Sequence, residues 1–76
     1  MPDVWVCDYD VPREPSAAHM RFYRRLWKLL RSREVTVGKR STQSVWISDD
    51  EGLIRGIHEL ACEYGRSHLY AADRLD

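Results

Sequence analysis

The segment Val4-Trp5-Val6-Cys7-Asp8-Tyr9 combines β-branched and aromatic side chains and contains no glycine or proline. Such a run predicts a β-strand. Because its apolar residues occur at both odd and even positions, we expect the strand in the middle of a sheet. The strand should end at Asp10-Val11-Pro12, since proline cannot donate a hydrogen bond to a neighbouring strand.

A long amphipathic helix is predicted next, from Ser16, a favourable N-cap, to about Arg33. One side of this helix is apolar at helical spacing: Phe22, Tyr23, Leu26, Trp27, Leu29 and Leu30. The opposite side is basic, and at about 100° per residue its members fall within an arc of roughly 120°: Arg21, Arg24, Arg25, Lys28 and Arg31. The helix contains no acidic residue.

In the middle of the chain, two short segments show the side-chain alternation that is typical of β-strands. Residues 34–37 and residues 43–47 are predicted strands, and the turn between them at residues 38–41 should join them as a hairpin. The sequence Ser48-Asp49-Asp50-Glu51 then predicts a capping box, with Ser48 as the N-cap of a second helix.

The second helix should bury an apolar stripe and end at Gly65 in a left-handed conformation. Gly56 in its middle indicates close packing, since glycine there costs about 1 kcal/mol of helix stability. Residues 68–72 are predicted to form the last strand. The predicted stripe comprises Leu53, Ile57, Leu60, Ala61 and Tyr64.

The predicted order of elements is βαββαβ within a single domain of 76 residues. The compact solution for this order is a ferredoxin-like α+β fold, a four-stranded antiparallel sheet with both helices on one face. No apolar run approaches the ~20 residues that cross a membrane, and the start lacks the pattern of a signal peptide. We therefore expect a cytoplasmic protein with no membrane partner, and we expect Cys7 and Cys62 to be small buried thiols.

The outer face of the sheet is predicted to be aromatic. If Val4 and Val6 face the helices, then Trp5, Tyr9 and Trp46 face outward with Cys7. A sheet face with this much exposed apolar area is expected to be covered by another molecule. It either packs on a second copy of the chain, which we favour, or stacks the bases of a nucleic acid. The sequence thus predicts a homodimer with Trp5, Tyr9 and Trp46 at its interface.

Two carboxylates follow the apolar part of the first strand on the same side, Asp8 and Asp10. Carboxylates at a strand end suit Mg²⁺ or Mn²⁺, and a two-fold axis would double the ligands that one protomer offers. Such a metal could lower the pKa of a bound water and neutralise a phosphate oxygen. The alternative is that these acids only polarise the strand end and pair with Arg13 or Arg40.

The charge is divided unevenly along the chain, with +4 in residues 1–48 and −4 in residues 49–76. Like charges one helical turn apart repel each other, and contact with phosphates would relieve that repulsion. The sequence therefore predicts binding to DNA or RNA. The candidate phosphate-binding residues are Arg13, Arg21, Arg24, Arg25, Lys28 and Arg40.

Several of these segments resemble a known family. The ending Cys7-Asp8-Tyr9-Asp10-Val11-Pro12 is similar to the Tyr-Asp-Ile/Val-Pro ending of strand one in the second universal CRISPR-associated protein family. Residues 22–30 take the place of its basic first helix, and Ser44-Val45-Trp46 resembles its Ser-Val-Phe motif. The resemblance covers residues 4–72. It departs from the family at Thr42, where members often have glutamine.

The resemblance implies a small ferredoxin-like homodimer of the antiviral spacer-acquisition machinery. It assigns Asp10 as the catalytic and metal-binding residue of an endonuclease that hydrolyses phosphodiesters in RNA or DNA, with Asp10 of each copy facing the other across the dimer. Mg²⁺ or Mn²⁺ would be held there, with Asp8 assisting. Members of the family also act as a non-catalytic bridge between dimers of a CRISPR integrase on DNA, which is the first alternative. A second alternative is a ferredoxin-like module that binds single-stranded RNA on its sheet.

Overall fold

The computed structural model describes residues 2–32, 39–42 and 45–73. The elements follow the predicted order, and their bounds are β1 Val4–Asp10, α1 Ser16–Ser32, β2 Lys39–Thr42, β3 Val45–Ser48, α2 Glu51–Cys62 and β4 Arg66–Ala72. The structure confirms a small α+β protein with two helices and an antiparallel sheet.

β1 lies in the interior of the sheet, as its composition predicted. It pairs antiparallel with β4 along its whole length, from Val4 opposite Ala72 to Asp10 opposite Arg66. On its other side it pairs antiparallel with β3, and β2 pairs with β3 at the outer edge. The strand order β2-β3-β1-β4 is compatible with a ferredoxin-like arrangement.

The predicted hairpin is displaced along the chain. The predicted turn at residues 38–41 is wrong for its last three residues, because Lys39–Thr42 forms β2. The ladder between β2 and β3 is irregular between Arg40 and Thr42. The predicted strand at residues 34–37 lies outside the described residues.

The faces of β1 are the reverse of those predicted. Tyr9 is 5% exposed, and its ring meets that of Phe22 on α1 edge-on with centroids 5.2 Å apart. Trp46, opposite Cys7 in the register, is also 5% exposed. Trp5 packs against the same core, with the Arg55 guanidinium of α2 5.2 Å from its ring centre.

The prediction that Trp5, Tyr9 and Trp46 face outward is therefore wrong, because all three rings lie on the helix side of the sheet. Their assignment to a dimer interface rested on that orientation. Burial under the helices removes these large rings from water, which stabilises the fold. Val4 and Val6 share their parity with the two acids, on the side of the sheet away from the helices, where Val4 is buried and Val6 is partly exposed.

α2 is the main cover of the sheet, and it buries five side chains along one stripe: Leu53, Ile54, Ile57, Leu60 and Ala61. The predicted capping box does not form. Asp50 is the N-cap, and its Oδ1 accepts from the Leu53 N–H at 3.1 Å, whereas Ser48 ends β3 and accepts from the Asp50 N–H. A β-carbon on Gly56 would stand 3.3 Å from Leu29 of α1, so the predicted close packing there is confirmed.

Gly65 is required for a reason other than the one predicted. It does not adopt a positive φ, so a left-handed stop is not its role. A β-carbon added there would overlap the carbonyl oxygen of Asp10 and lie 3.0 Å from the Val11 Cα. The main chain at the end of β1 thus passes directly against Gly65, which holds the strand end beside the start of β4.

We expect Gly65→Ala to lower the free energy of unfolding by about 1–3 kcal/mol, the usual cost of forcing extra volume into a packed site. The atoms in the way are main-chain atoms, which cannot rotate aside. Urea denaturation followed by circular dichroism measures the loss.

The matched control is Gly56→Ala. There the gain in helix propensity of about 1 kcal/mol offsets a close contact with the flexible end of Leu29, so the net change should be small. Equal midpoints for Gly65→Ala and the unmodified protein would contradict the contact.

Candidate functional site

One face of α1 is exposed and basic. Arg21, Arg24, Lys28 and Arg31 are all exposed, at the spacing that places them along one stripe. The prediction of a basic helix surface is confirmed for these four. Phe22 and Leu26, on the opposite side of the helix, are fully buried.

Trp27 does not lie where the sequence placed it. The apolar periodicity assigned it to the core, but it is 48% exposed. Together with Arg24, Lys28 and Arg31 it lines an open concave surface of about 560 Å³, which we call the Trp27 concavity. Sequence reasoning missed this feature because tryptophan is counted as apolar wherever it stands in a helical repeat.

Arg25 belongs to a different environment from its basic neighbours. Its two terminal nitrogens, Nη1 and Nη2, each donate to one carboxylate oxygen of Glu63 at 3.1 Å, and Nη1 also donates to the Tyr64 hydroxyl at 3.3 Å. The bonds to Glu63, and then to Tyr64, raise the pKa of Arg25 further above its ordinary value. Arg25 therefore has a carboxylate partner and joins α1 to the end of α2.

The remaining two candidate bases stand apart from the stripe. Arg13 is exposed in the connection between β1 and α1, three residues after Asp10 in the sequence. Arg40 lies in β2, and its side chain falls outside the described part of the structure.

The second candidate surface is the side of the sheet that faces away from the helices, which we call the open sheet face. By the strand register it carries an apolar region and a polar region. The apolar region comprises Val4, Val6, Val45, Ile47, Tyr70 and Ala72, and the polar region comprises Asp8, Asp10, Arg66 and His68.

Asp8 and Asp10 share this face, so the prediction that their parity is the same is confirmed. Asp8 Oδ1 lies 3.0 Å from Nδ1 of His68, directly opposite on β4. Partial desolvation raises the pKa of Tyr70 above its ordinary value, with further contributions from the charge of Asp8 and a hydrogen bond to it. The His68 contact is a further feature that sequence alone did not predict.

Asp10 is exposed at the end of β1, across from Arg66. Within residues 2–32, 39–42 and 45–73, no three histidine, cysteine, aspartate or glutamate side chains are grouped so as to hold a metal ion. The chemistry of the two carboxylates suits a hard cation, but two ligands are few. A complete site would need ligands in addition to these two carboxylates.

A hydrogen-bonded cluster lies on the helix side of the sheet. The Ser67 hydroxyl donates to the Asp8 carbonyl at 3.1 Å, which leaves its oxygen to accept from Nδ1 of His58 at 2.7 Å and from the Cys7 thiol at 3.3 Å. Burial raises the pKa of the Cys7 thiol. The prediction of a buried thiol is confirmed for Cys7 and wrong for Cys62, which is exposed beside His58.

Comparison with known proteins gives no family to which the chain can be assigned. No protein-family model, no curated protein and no solved structure matches it. Among the described residues there is no helix long and apolar enough to cross a membrane.

Proposed function

We propose that this chain is a ferredoxin-like, cytoplasmic subunit of CRISPR adaptation that binds nucleic acid as a homodimer. The observation that carries the proposal is the stripe of exposed cations on α1, a helix whose own sequence contains no acid. The family resemblance of the strand-one ending and of the hairpin motif supports the same assignment.

The stripe has the dimensions of a phosphate-binding surface. From Arg21 to Arg31 the helix rises about 15 Å, so the cations can follow several phosphates of one strand. Residues three and four apart on a helix are neighbours, and like charges there destabilise each other. Neutralisation by phosphates removes that repulsion and releases counterions, which favours binding at low salt.

The open sheet face supports a dimer, though not through the rings that the sequence suggested. Tyr70 is 48% exposed there, and Val6, Val45 and Ile47 are each partly exposed around it. Covering this apolar region with the same region of a second copy would remove it from water. The polar regions of the two copies would then meet at the ends of their β1 strands.

In the catalytic version of the proposal, Asp10 with Asp8 would hold Mg²⁺ or Mn²⁺ between the two copies. The metal would supply a water of lowered pKa and would neutralise charge on the phosphate that is attacked. Asp10 is exposed at the strand end, where a phosphodiester can reach it.

One observation favours the non-catalytic version, in which the dimer bridges integrase subunits on DNA. Phe22 packs α1 onto the side of β1 that carries Tyr9, and the cations lie on the far side of that helix. Asp8 and Asp10 have the opposite parity on β1. A nucleic acid bound along the stripe therefore lies on the other side of the protomer from the acids.

The burial of Tyr9 and Trp46 in the core makes the RNA-binding alternative less favoured, because that alternative used the rings of Trp5, Tyr9 or Trp46 to stack bases on the sheet. We retain nucleic-acid binding and assign it to α1.

Nucleic-acid binding is tested by Arg24→Gln combined with Lys28→Gln. We expect DNA affinity at low salt to fall by about tenfold to a hundredfold. The slope of log K against log salt should decrease by about two, since each phosphate contact contributes about 0.9. Fluorescence anisotropy across a salt series measures both quantities.

The control for this variant is Arg55→Glu, which changes net charge by the same amount on α2. Arg55 pairs with Glu51, so circular dichroism should confirm that the control is folded. Equal loss of binding in the control and the double variant would mean that total charge, and not the stripe, governs binding.

The dimer is tested by Tyr70→Lys, which places a charge in the apolar region of the open sheet face. Because Tyr70 is half exposed, the protomer should fold normally, and sedimentation should change from dimer to monomer. Met20→Lys is the matched control, since Met20 is 55% exposed on α1 and should leave the dimer intact. A protein that sediments as a monomer before any substitution would contradict the proposed dimer.

Asp10→Asn separates the two versions of the proposal. With Mg²⁺ or Mn²⁺ present, the catalytic version predicts at least a hundredfold loss of RNA or DNA cleavage with binding retained. Asp49→Asn removes an exposed carboxylate elsewhere and should leave cleavage unchanged. If the purified unmodified protein binds DNA but cleaves neither substrate, the catalytic version fails and the bridging version stands.

A further inference from the structure

Trp27 occupies a position that the proposed phosphate contacts do not explain. Its indole is about half exposed, although a tryptophan ring gains more from burial than almost any other side chain. Trp46 is buried in the core, and Trp5 packs against it under Arg55. Trp27 alone among the three tryptophans presents a large part of its ring to solvent.

The neighbours of Trp27 are cations on both sides along the helix. Arg24 precedes it by three residues and Arg31 follows it by four, so both lie one turn away on the same stripe. Lys28 is adjacent, and these four side chains line the Trp27 concavity of about 560 Å³. The surface therefore offers one flat apolar face between positive charges.

A ligand that matches this surface has a flat aromatic group with negative charges on either side of it. An unpaired nucleotide in a strand has that form, because its base carries a π-face and the phosphates before and after it are anionic. A base within a duplex has both faces covered by its neighbours and is not available to the indole. A helix face that bound duplex phosphates alone would not need the aromatic ring.

We propose that Trp27 is a stacking residue for an unpaired base, and that Arg24, Lys28 and Arg31 bind the phosphates beside that base. The occupant of the concavity is a single-stranded segment, either free or at the unpaired end of a duplex. This inference rests on the proposed nucleic-acid binding and specifies which form of nucleic acid the helix prefers.

The experiment compares Trp27→Leu with the unmodified protein on two probes, a short single-stranded oligodeoxynucleotide and a blunt duplex. Loss of one stacked base should weaken single-strand binding by about fivefold to 150-fold. Duplex binding should change less than twofold. The salt slope on the single strand should stay the same, because no phosphate contact is removed.

Two further variants sharpen the comparison. Trp27→Phe keeps an aromatic face and should retain most of the single-strand affinity. Met20→Leu changes another exposed apolar residue of α1 and should alter neither probe. In the unmodified protein, base stacking should quench tryptophan fluorescence on addition of the single strand, and Trp27→Phe should abolish that quenching.

The outcomes distinguish this inference from the proposal on which it rests. If the unmodified protein binds neither probe, nucleic-acid binding itself fails. If it binds the duplex but Trp27→Leu leaves single-strand affinity unchanged, or weakens both probes equally, the stacking role is wrong while nucleic-acid binding stands. If Trp27→Leu converts a dimer to a monomer, the concavity is covered by a second copy and the inference is overturned.

Discussion

The two-residue period of β1 governs where every candidate group lies. Cys7 and Tyr9 point into the core, where Tyr9 meets Phe22 of α1. Because successive side chains alternate between the faces of a sheet, Asp8 and Asp10 must then point away from the helices. A shift of one residue in this strand would bury the acids and expose the aromatic rings, so the fold and the location of the polar region depend on the same choice.

That choice could have been predicted from β1 itself, because Asp8 and Asp10 share one parity and burying two carboxylates under the helices is costly. The prediction relied on the apolar residues alone, which occur at both parities and indicate only that the strand is an interior one. The order of elements, the start of α1 at Ser16 and the pairing of β1 with two neighbours could be predicted, because periodicity and strand composition are local signals. The role of Gly65 could not, since it depends on a contact with Asp10 and Val11, which are distant in sequence. The N-cap at Asp50 is a local feature, and the prediction placed it two residues too early, at Ser48.

Only part of the candidate site could be predicted, because some of its features follow from local spacing and others depend on contacts made when the elements pack. The basic stripe on α1 follows from helical spacing, and all five of its predicted members are exposed as expected. Arg25 differs because its partner, Glu63, is distant in sequence and reaches it only after the helices pack. The exposure of Trp27 was not predicted, because burial depends on which other elements pack over a residue. Helical periodicity shows only which residues lie on the same side of the helix.

The contact between Gly65 and the end of β1 has a consequence for engineering the strand end. The position of residue 10 is set by main-chain atoms of β1 against Gly65, while its own side chain projects into solvent. Histidine, glutamate or cysteine at position 10 would occupy the same place without disturbing the core. Side chains of different size and charge can therefore be exchanged at this position while the scaffold stays constant.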